Sequence, residues 1–187
     1  MSQGFVEMFR YNAWANRQFF EACRALTDEQ LDTRATGISG SVRELLMHIA
    51  GGQQTFILRT MGRQNEGELG RRSEWPGMDA VVKTARDTSD TLVKIAEQLQ
   101  DDEEVNLPYQ GKVYRFPKRF FLLHALEHGV HHRAEVKVAL AQIGQKMPDL
   151  DGWCYAAAAG YGPTKPSSYL DSNLWVSVAR VSRSATP

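Results

Sequence analysis

Apolar residues recur every three to four positions over four long stretches of the chain, and each stretch predicts an amphipathic helix. Over residues 5–25, Phe5, Phe9, Phe20 and Cys23 recur at helical spacing with charges elsewhere. Asn12 and Asn16 fall on that same apolar face. A buried amide needs partners, so these two either tie the helix to a neighbouring loop or helix end, or sit half in solvent. Thr27-Asp28-Glu29-Gln30 reads as a capping box that opens one short turn, and Gly37 to Gly40 as a loop. Ser41-Val42-Arg43-Glu44 is a second capping box, opening a helix that runs to about Met61. Residues 62–76 are polar and rich in Gly and Arg, the composition of a mobile surface loop.

The next helix spans roughly 78–100, with Val81, Val82, Ala85, Leu92, Ile95, Ala96 and Leu99 on its apolar side. The pattern then changes. Val105, Leu107, Val113, Tyr114 and Phe116 surround Gln110-Gly111, which predicts a short β-hairpin over 104–116. Pro117 suits the first position of a fourth long helix, which runs to about Ile143 and stops at Gly144. A last short helix is expected within 149–161, around Trp153. The Pro- and Ser-containing stretch 162–187 has little periodicity and is expected to be a loosely attached tail. With no repeat and no linker, residues 1–161 read as one all-α domain, a four-helix bundle with a short β-hairpin before its last long helix.

Composition narrows the function classes. A chain of 187 residues can bury one sizeable core. Lys+Arg and Asp+Glu are equal at 22 each, and the basic excess of a nucleic-acid binder is missing. No apolar run is long enough to cross a bilayer. The opening residues Met1 to Glu7 lack the basic-then-apolar order of a secretory signal. Cys23 and Cys154 are far apart and form no CxxC pair, so they read as small buried apolar side chains in a reducing compartment. A cytoplasmic protein without nucleic-acid or membrane partners is expected.

The histidines carry the chemistry. Four of the five fall within His124-Ala125-Leu126-Glu127-His128-Gly129-Val130-His131-His132. At about 100° per residue, His128 and His132 lie about 40° apart on one helix face. Phe121, Ala125, Val136, Ala139 and Ile143 point near the same direction, so both imidazoles are aimed at the core. His48 sits beside the stripe Leu45, Ile49 and Phe56, and Gly52 one turn later would leave space there. Desolvation and like-charge repulsion both oppose charge on adjacent buried imidazoles, yet each ring nitrogen needs a partner. A divalent ion bound by His48, His128 and His132 answers both demands, since neutral imidazole suits zinc, nickel, copper and iron. Three protein ligands leave a coordination position open, the pattern of a catalytic site. The bland reading is a set of hydrogen-bonded core histidines without an ion. His124 and His131 are expected at the surface or behind the ligands. Glu44 either orients His48 or serves its capping box, and Glu135 either contacts a ligand ring or bound water or lies at a solvent edge.

These segments resemble a known family. Tyr11-Asn12-Ala13-Trp14-Ala15-Asn16 is similar to the opening helix of DinB/YfiT-like proteins. Ser41 to Ala50, with His48, looks like their second helix, and His128-Gly129-Val130-His131-His132-Arg133 resembles their HxxxHR signature. The resemblance covers about residues 5–160 and is weakest over 62–76. It implies a four-helix bundle, a zinc or nickel ion between the second and fourth long helices, and a homodimer. Leu122, Leu123, Leu126 and Val130 offer a second apolar side, for the 78–100 helix or another subunit. The family often continues HRGQ, whereas here Arg133 is followed by Ala134-Glu135, a carboxylate in place of an amide. Relatives imply a thiol-dependent S-transferase or isomerase acting on a small molecule with a low-molecular-weight thiol, since a metal with an open position lowers a thiol's pKa. Hydrolysis by an activated water is open to the same site. A non-catalytic metal-binding or stress-response protein is the alternative. A catalytic site would need a pocket beside the metal, roofed by the 104–116 hairpin or the 62–76 loop.

Overall fold

Four of the six described helices start at a side chain that accepts from an otherwise orphaned backbone N–H group. Ser2 accepts from the Phe5 N–H and opens α1 (Gln3–Cys23). Thr27 and Gln30 form both halves of a capping box around α2 (Asp28–Leu31). Ser41 and Glu44 do the same for α3 (Val42–Thr60). Then follow α4 (Met78–Gln98), β1 (Glu104–Tyr109), β2 (Lys112–Pro117), α5 (Lys118–Gln142) and α6 (Gly152–Ala158). The computed structural model describes residues 2–64, 69 and 74–162. The expected tail 162–187, save Gly162, and most of the 62–76 loop thus lie outside the described residues. The chain divides into two compact units, Met1–Pro148 and Asp149–Pro187. The first holds the four long helices, and in the second the described helix is α6, capped by Asp151.

The protein is a four-helix bundle with a two-stranded antiparallel hairpin, as the apolar periodicity predicts. Arg10 pairs with Glu97 and Arg24 with Asp79, so α1 and α4 run antiparallel. His48, Gly52 and Phe56 meet His132, His128 and His124 in reverse order, so α3 and α5 are antiparallel too. Phe9, Leu92, Ala96, Leu122, Ala125 and Ile57 close one apolar layer, and further along Asn16 meets both Ser89 and Arg133. Helices α3 and α4 therefore run the same way, and the chain must return along the bundle between them, a crossover connection. The carbonyl of Leu69, on that return, lies where a Cβ on Gly51 would be. Only glycine lets the Leu69 backbone lie directly on α3.

Helix ends and the hairpin follow local chemistry. Gly144, at φ +78°, ends α5, and the Gln145 N–H bonds back to the Leu140 carbonyl at 2.9 Å. Tyr109 pairs with Lys112, leaving Gln110 and Gly111 as a two-residue loop with φ of +49° and +75°, the type I′ geometry that matches strand twist. Pro117 ends β2 and stands at the N-cap of α5, which begins at Lys118, one residue later than expected. Two expectations of burial need correction, at Ile143 and Cys154. Ile143 is exposed. On the second apolar side, left to the 78–100 helix or another subunit, Leu122 and Leu126 pack inward and Leu123 and Val130 are exposed. The reason is that α5 touches α3 and α1 on adjoining faces, which leaves the direction of Leu123 and Val130 uncovered. Cys23 is buried, but Cys154 is only partly so.

The α3 cap yields a pH-dependent contribution. The Ser41 N–H donates to Glu44 Oε2 at 2.8 Å and Arg34 donates to Oε1 at 2.8 Å. The Ser41 bond, opposed by partial burial and helped by Arg34, holds the Glu44 carboxyl below its usual value. A folded value below the unfolded one stabilises at pH above the unfolded value and is lost as pH falls through the folded value. Glu44→Gln keeps the capping oxygen without the charge. We expect it to be less stable than the parent near neutral pH, with the gap shrinking as pH drops below 4.5. Urea unfolding at about pH 7 and about pH 3.5 measures that gap.

Candidate metal centre

His48 of α3 meets His128 and His132 of α5 where these two helices pack together. The His48 and His128 Nε2 atoms are 2.9 Å apart. Ring centroids lie 4.5 Å apart for His48 and His128, 4.6 Å for His48 and His132, and 4.4 Å for His128 and His132. One ring nitrogen from each of the three falls within 4.8 Å of the others. His128 and His132 are buried and His48 is half-buried, so the group opens to solvent on the α3 side.

Two glycines permit this approach. A Cβ on Gly52 would sit 2.6 Å from His128 Cε1. The bare backbone there is what admits the ring. A Cβ on Gly129 would meet Arg133 Nη1 at 3.0 Å and Asn12 Oδ1 at 3.2 Å, on the other side of α5. Glu135 fixes the third ring. Its Oε2 is 2.5 Å from His132 Nδ1, the Ser39 hydroxyl is 3.3 Å from both carboxylate oxygens, and His131 Nε2 is 3.8 Å from Oε1. Burial opposes the Glu135 charge, but His132, Ser39 and His131 outweigh it and hold the carboxyl below its usual value. A carboxylate that takes the Nδ1–H leaves Nε2 of His132 as the donor atom toward the cluster. His124 instead packs its ring on Phe56 at 4.6 Å, and His131 is exposed. Both Glu44 oxygens are used at the α3 cap.

The sequence reading missed Arg133. Its side chain is 3% exposed, and Nη1 donates to Asn12 Oδ1 at 2.8 Å and Asn16 Oδ1 at 2.5 Å. Burial pushes its pKa down to about 10, against the pull of the Tyr11 phenol, and it stays charged at neutral pH. Asn16 Nδ2 donates to Ser89 Oγ at 2.9 Å, and the Thr88 and Ser89 hydroxyls lie 3.2 and 3.1 Å from Gln53 Oε1, with nearer carbonyls one turn back on α4 at 2.7 and 2.6 Å. One buried polar chain thus joins α5, α1, α4 and α3. The signal was present, because two amides on the apolar face of α1 require a donor and Arg133 adjoins the inward-facing His132. The cavity beneath the hairpin, lined by residues that include Arg59, Leu107 and Phe121, has none of the three histidines in its wall.

The three imidazoles, with nitrogens this close and one ring already oriented by a carboxylate, could hold a divalent ion. A model of the DinB family matches residues 1–166. The chain belongs to the DinB family. It is similar to Protein DinB of Bacillus subtilis, 23% identical over 164 residues that cover 83% of this chain and 95% of that protein. Two crystal structures share the fold. A DinB-like protein of Bacillus cereus superposes with a TM-score of 0.59 at 23% identity, over 79% of this chain and 95% of that one. A DinB-like protein of Bacillus subtilis gives 0.56 at 21%, over 80% and 98%. Within this DinB-family chain, the opening Tyr11-Asn12 and Asn16 and the Arg133 of HxxxHR are now seen to be two halves of one clamp.

That clamp is testable. Arg133→Lys keeps the charge but loses the planar fork, and Asn16→Ala removes an acceptor from a buried cation. Each is expected to cost about 2–3 kcal/mol in urea unfolding. The double variant should fall short of the sum by about 1 kcal/mol or more, because both changes break the same contact.

Proposed function

We propose that this DinB-family protein is a metal-dependent enzyme in which His48, His128 and His132 hold one divalent ion, zinc or nickel. The observation that carries the reading is the convergence of three imidazole nitrogens, within 4.8 Å, at a half-open position. Among the described residues no fourth ligand joins that group, which leaves room for an exogenous one. When bound, such an ion supplies Lewis acidity and lowers the pKa of a coordinated thiol or water. The favoured substrate class is a small electrophile with a low-molecular-weight thiol, for S-transfer or isomerisation. The chain's own residues hold the geometry. Gly52 admits His128, Glu135 sets the tautomer of His132, and Phe56 with His124 walls one side with aromatic surface.

A homodimer and a cytoplasmic location belong to the same proposal. Leu123 and Val130, seven residues apart on α5, are 57% and 44% exposed, which supports an apolar face for a second copy. Cys23 is a buried free thiol, which supports a reducing compartment. No helix among the described residues is long and apolar enough to cross a membrane.

Elemental analysis of untagged protein is expected to find about one equivalent of zinc or nickel per chain, absent from His128→Ala and His132→Ala. Glu135→Gln should keep the stoichiometry while weakening affinity about 10–100-fold in chelator competition. A wild type that stays metal-free after reconstitution overturns the metal centre. Thiol-transfer activity toward small electrophiles is expected to disappear with the metal in His128→Ala. Full activity of that variant without metal would overturn the enzymatic reading, and a metal-loaded wild type inactive across thiols and electrophiles favours a non-catalytic metal-binding protein.

A further inference from the structure

The β-hairpin covers a cavity of about 600 Å³, within the range of small-molecule sites. Directly paired residues share one face of a hairpin, and the pairing places Leu107, Tyr109, Tyr114 and Phe116 together on the face that lines this space. Phe121 of α5, Arg59 of α3, Pro108 and Gln64 also line it. Phe116 meets the Phe121 ring at 5.3 Å and stacks on Phe120 at 5.4 Å, which makes the aromatic floor rigid. Tyr109 and Tyr114 are 61% and 42% exposed, so much of the aromatic surface at the mouth is uncovered.

Arg59 is the cation in this wall. Its Nη1 donates to the Arg63 carbonyl at 3.3 Å, and among the described residues it pairs with no carboxylate. Among the described residues the rest of its fork has no acceptor, and a carboxylate matches that fork with two parallel bonds. Apart from the Gln64 amide, the remaining described wall is apolar or phenolic. It rejects sugars and polyphosphates, which need many more polar partners than one guanidinium and one amide provide. We propose that this cavity binds a small monocarboxylate with an apolar body, an aryl or branched-alkyl acid, its carboxylate on Arg59 and its body on Phe116 and Phe121. The competing role for Arg59 is that of a cation at the α3 C-terminus, favourable toward the last carbonyls and requiring no ligand.

The site is distinct from the histidine cluster. Phe121 precedes His128 by seven residues, about 10 Å along the helix. Phe56 and His124, in ring contact at 4.6 Å, stand between the two. The inference therefore holds with or without a metal ion.

The test titrates 4-phenylbutyrate and 4-phenylbutan-1-ol into the full chain, as purified and after chelation, followed by calorimetry and ligand-observed NMR. The acid is expected to bind at least about tenfold more tightly than the alcohol in both preparations. Arg59→Gln should erase that preference and leave the alcohol's affinity unchanged, and Arg59→Lys should restore part of it. Tyr114→Ala should weaken both ligands. Equal binding of acid and alcohol, an acid affinity unmoved by Arg59→Gln, or no binding of either at millimolar concentration would each overturn the proposal. A failed metal centre would leave all of these outcomes unaltered.

Discussion

Arg133 is a charge in the middle of a helical bundle, and the other long helices are arranged to accommodate it. A buried guanidinium is costly unless its N–H groups find acceptors. Tyr11, Asn12 and Asn16 supply them from one face of α1. Asn16 then uses its own N–H on Ser89, and Ser89 meets Gln53, so the requirement passes through α4 to α3. Apolar layers such as that around Phe9 and Leu122 tolerate sliding by a fraction of a turn. A chain of buried hydrogen bonds does not, because each slip strands a donor or acceptor. The network thus sets the rotation of each helix, and the apolar layers fill in around it.

The histidine cluster inherits that rotation. His132 and Arg133 are consecutive, so their side chains leave α5 about 100° apart. When Arg133 is clamped to α1, His132 must face the α3 groove, and His128 one turn earlier follows it. Gly129 and Gly52 serve opposite sides of α5: one leaves space for the clamp, the other for the His128 ring. A methyl group at Gly52 would displace the His128 ring, and one at Gly129 would crowd the Arg133–Asn12 contact. The same helix is therefore held between two close approaches, and the positions of the ring nitrogens are set by packing rather than by the histidines themselves.

Element type was legible in the sequence because it depends on near neighbours. Capping boxes at Thr27 and Ser41, the Gln110-Gly111 turn and the Gly144 stop are all contained within a few residues. His128 and His132 could be placed together because their spacing is one helical turn. His48 joined them only through the apolar stripe on its own helix and the resemblance. What was not legible involves partners far apart in the chain. Asn12 and Asn16 announced a need for partners, but nothing local says that the partner is Arg133, more than a hundred positions away. Leu123 and Val130 look like Leu122 and Leu126 on a helical wheel; which of them is covered depends on where α1 and α3 lie. The role of Gly51 was hidden for the same reason, since it answers to the returning chain at Leu69.

Residue 135 shows how a departure from the family pattern has a definite physical consequence. An amide at this position can either donate to or accept from the neighbouring ring, so it leaves both tautomers of His132 open. A carboxylate held ionised only accepts. With Oε2 at 2.5 Å from Nδ1, Glu135 fixes the proton on that nitrogen and leaves Nε2 bare toward His48 and His128. Ser39 and His131 keep the carboxylate in place from two other directions. The substitution of charge for amide therefore sharpens the donor set: one ring is committed before any ligand arrives, and it raises the basicity of the nitrogen that faces the cluster.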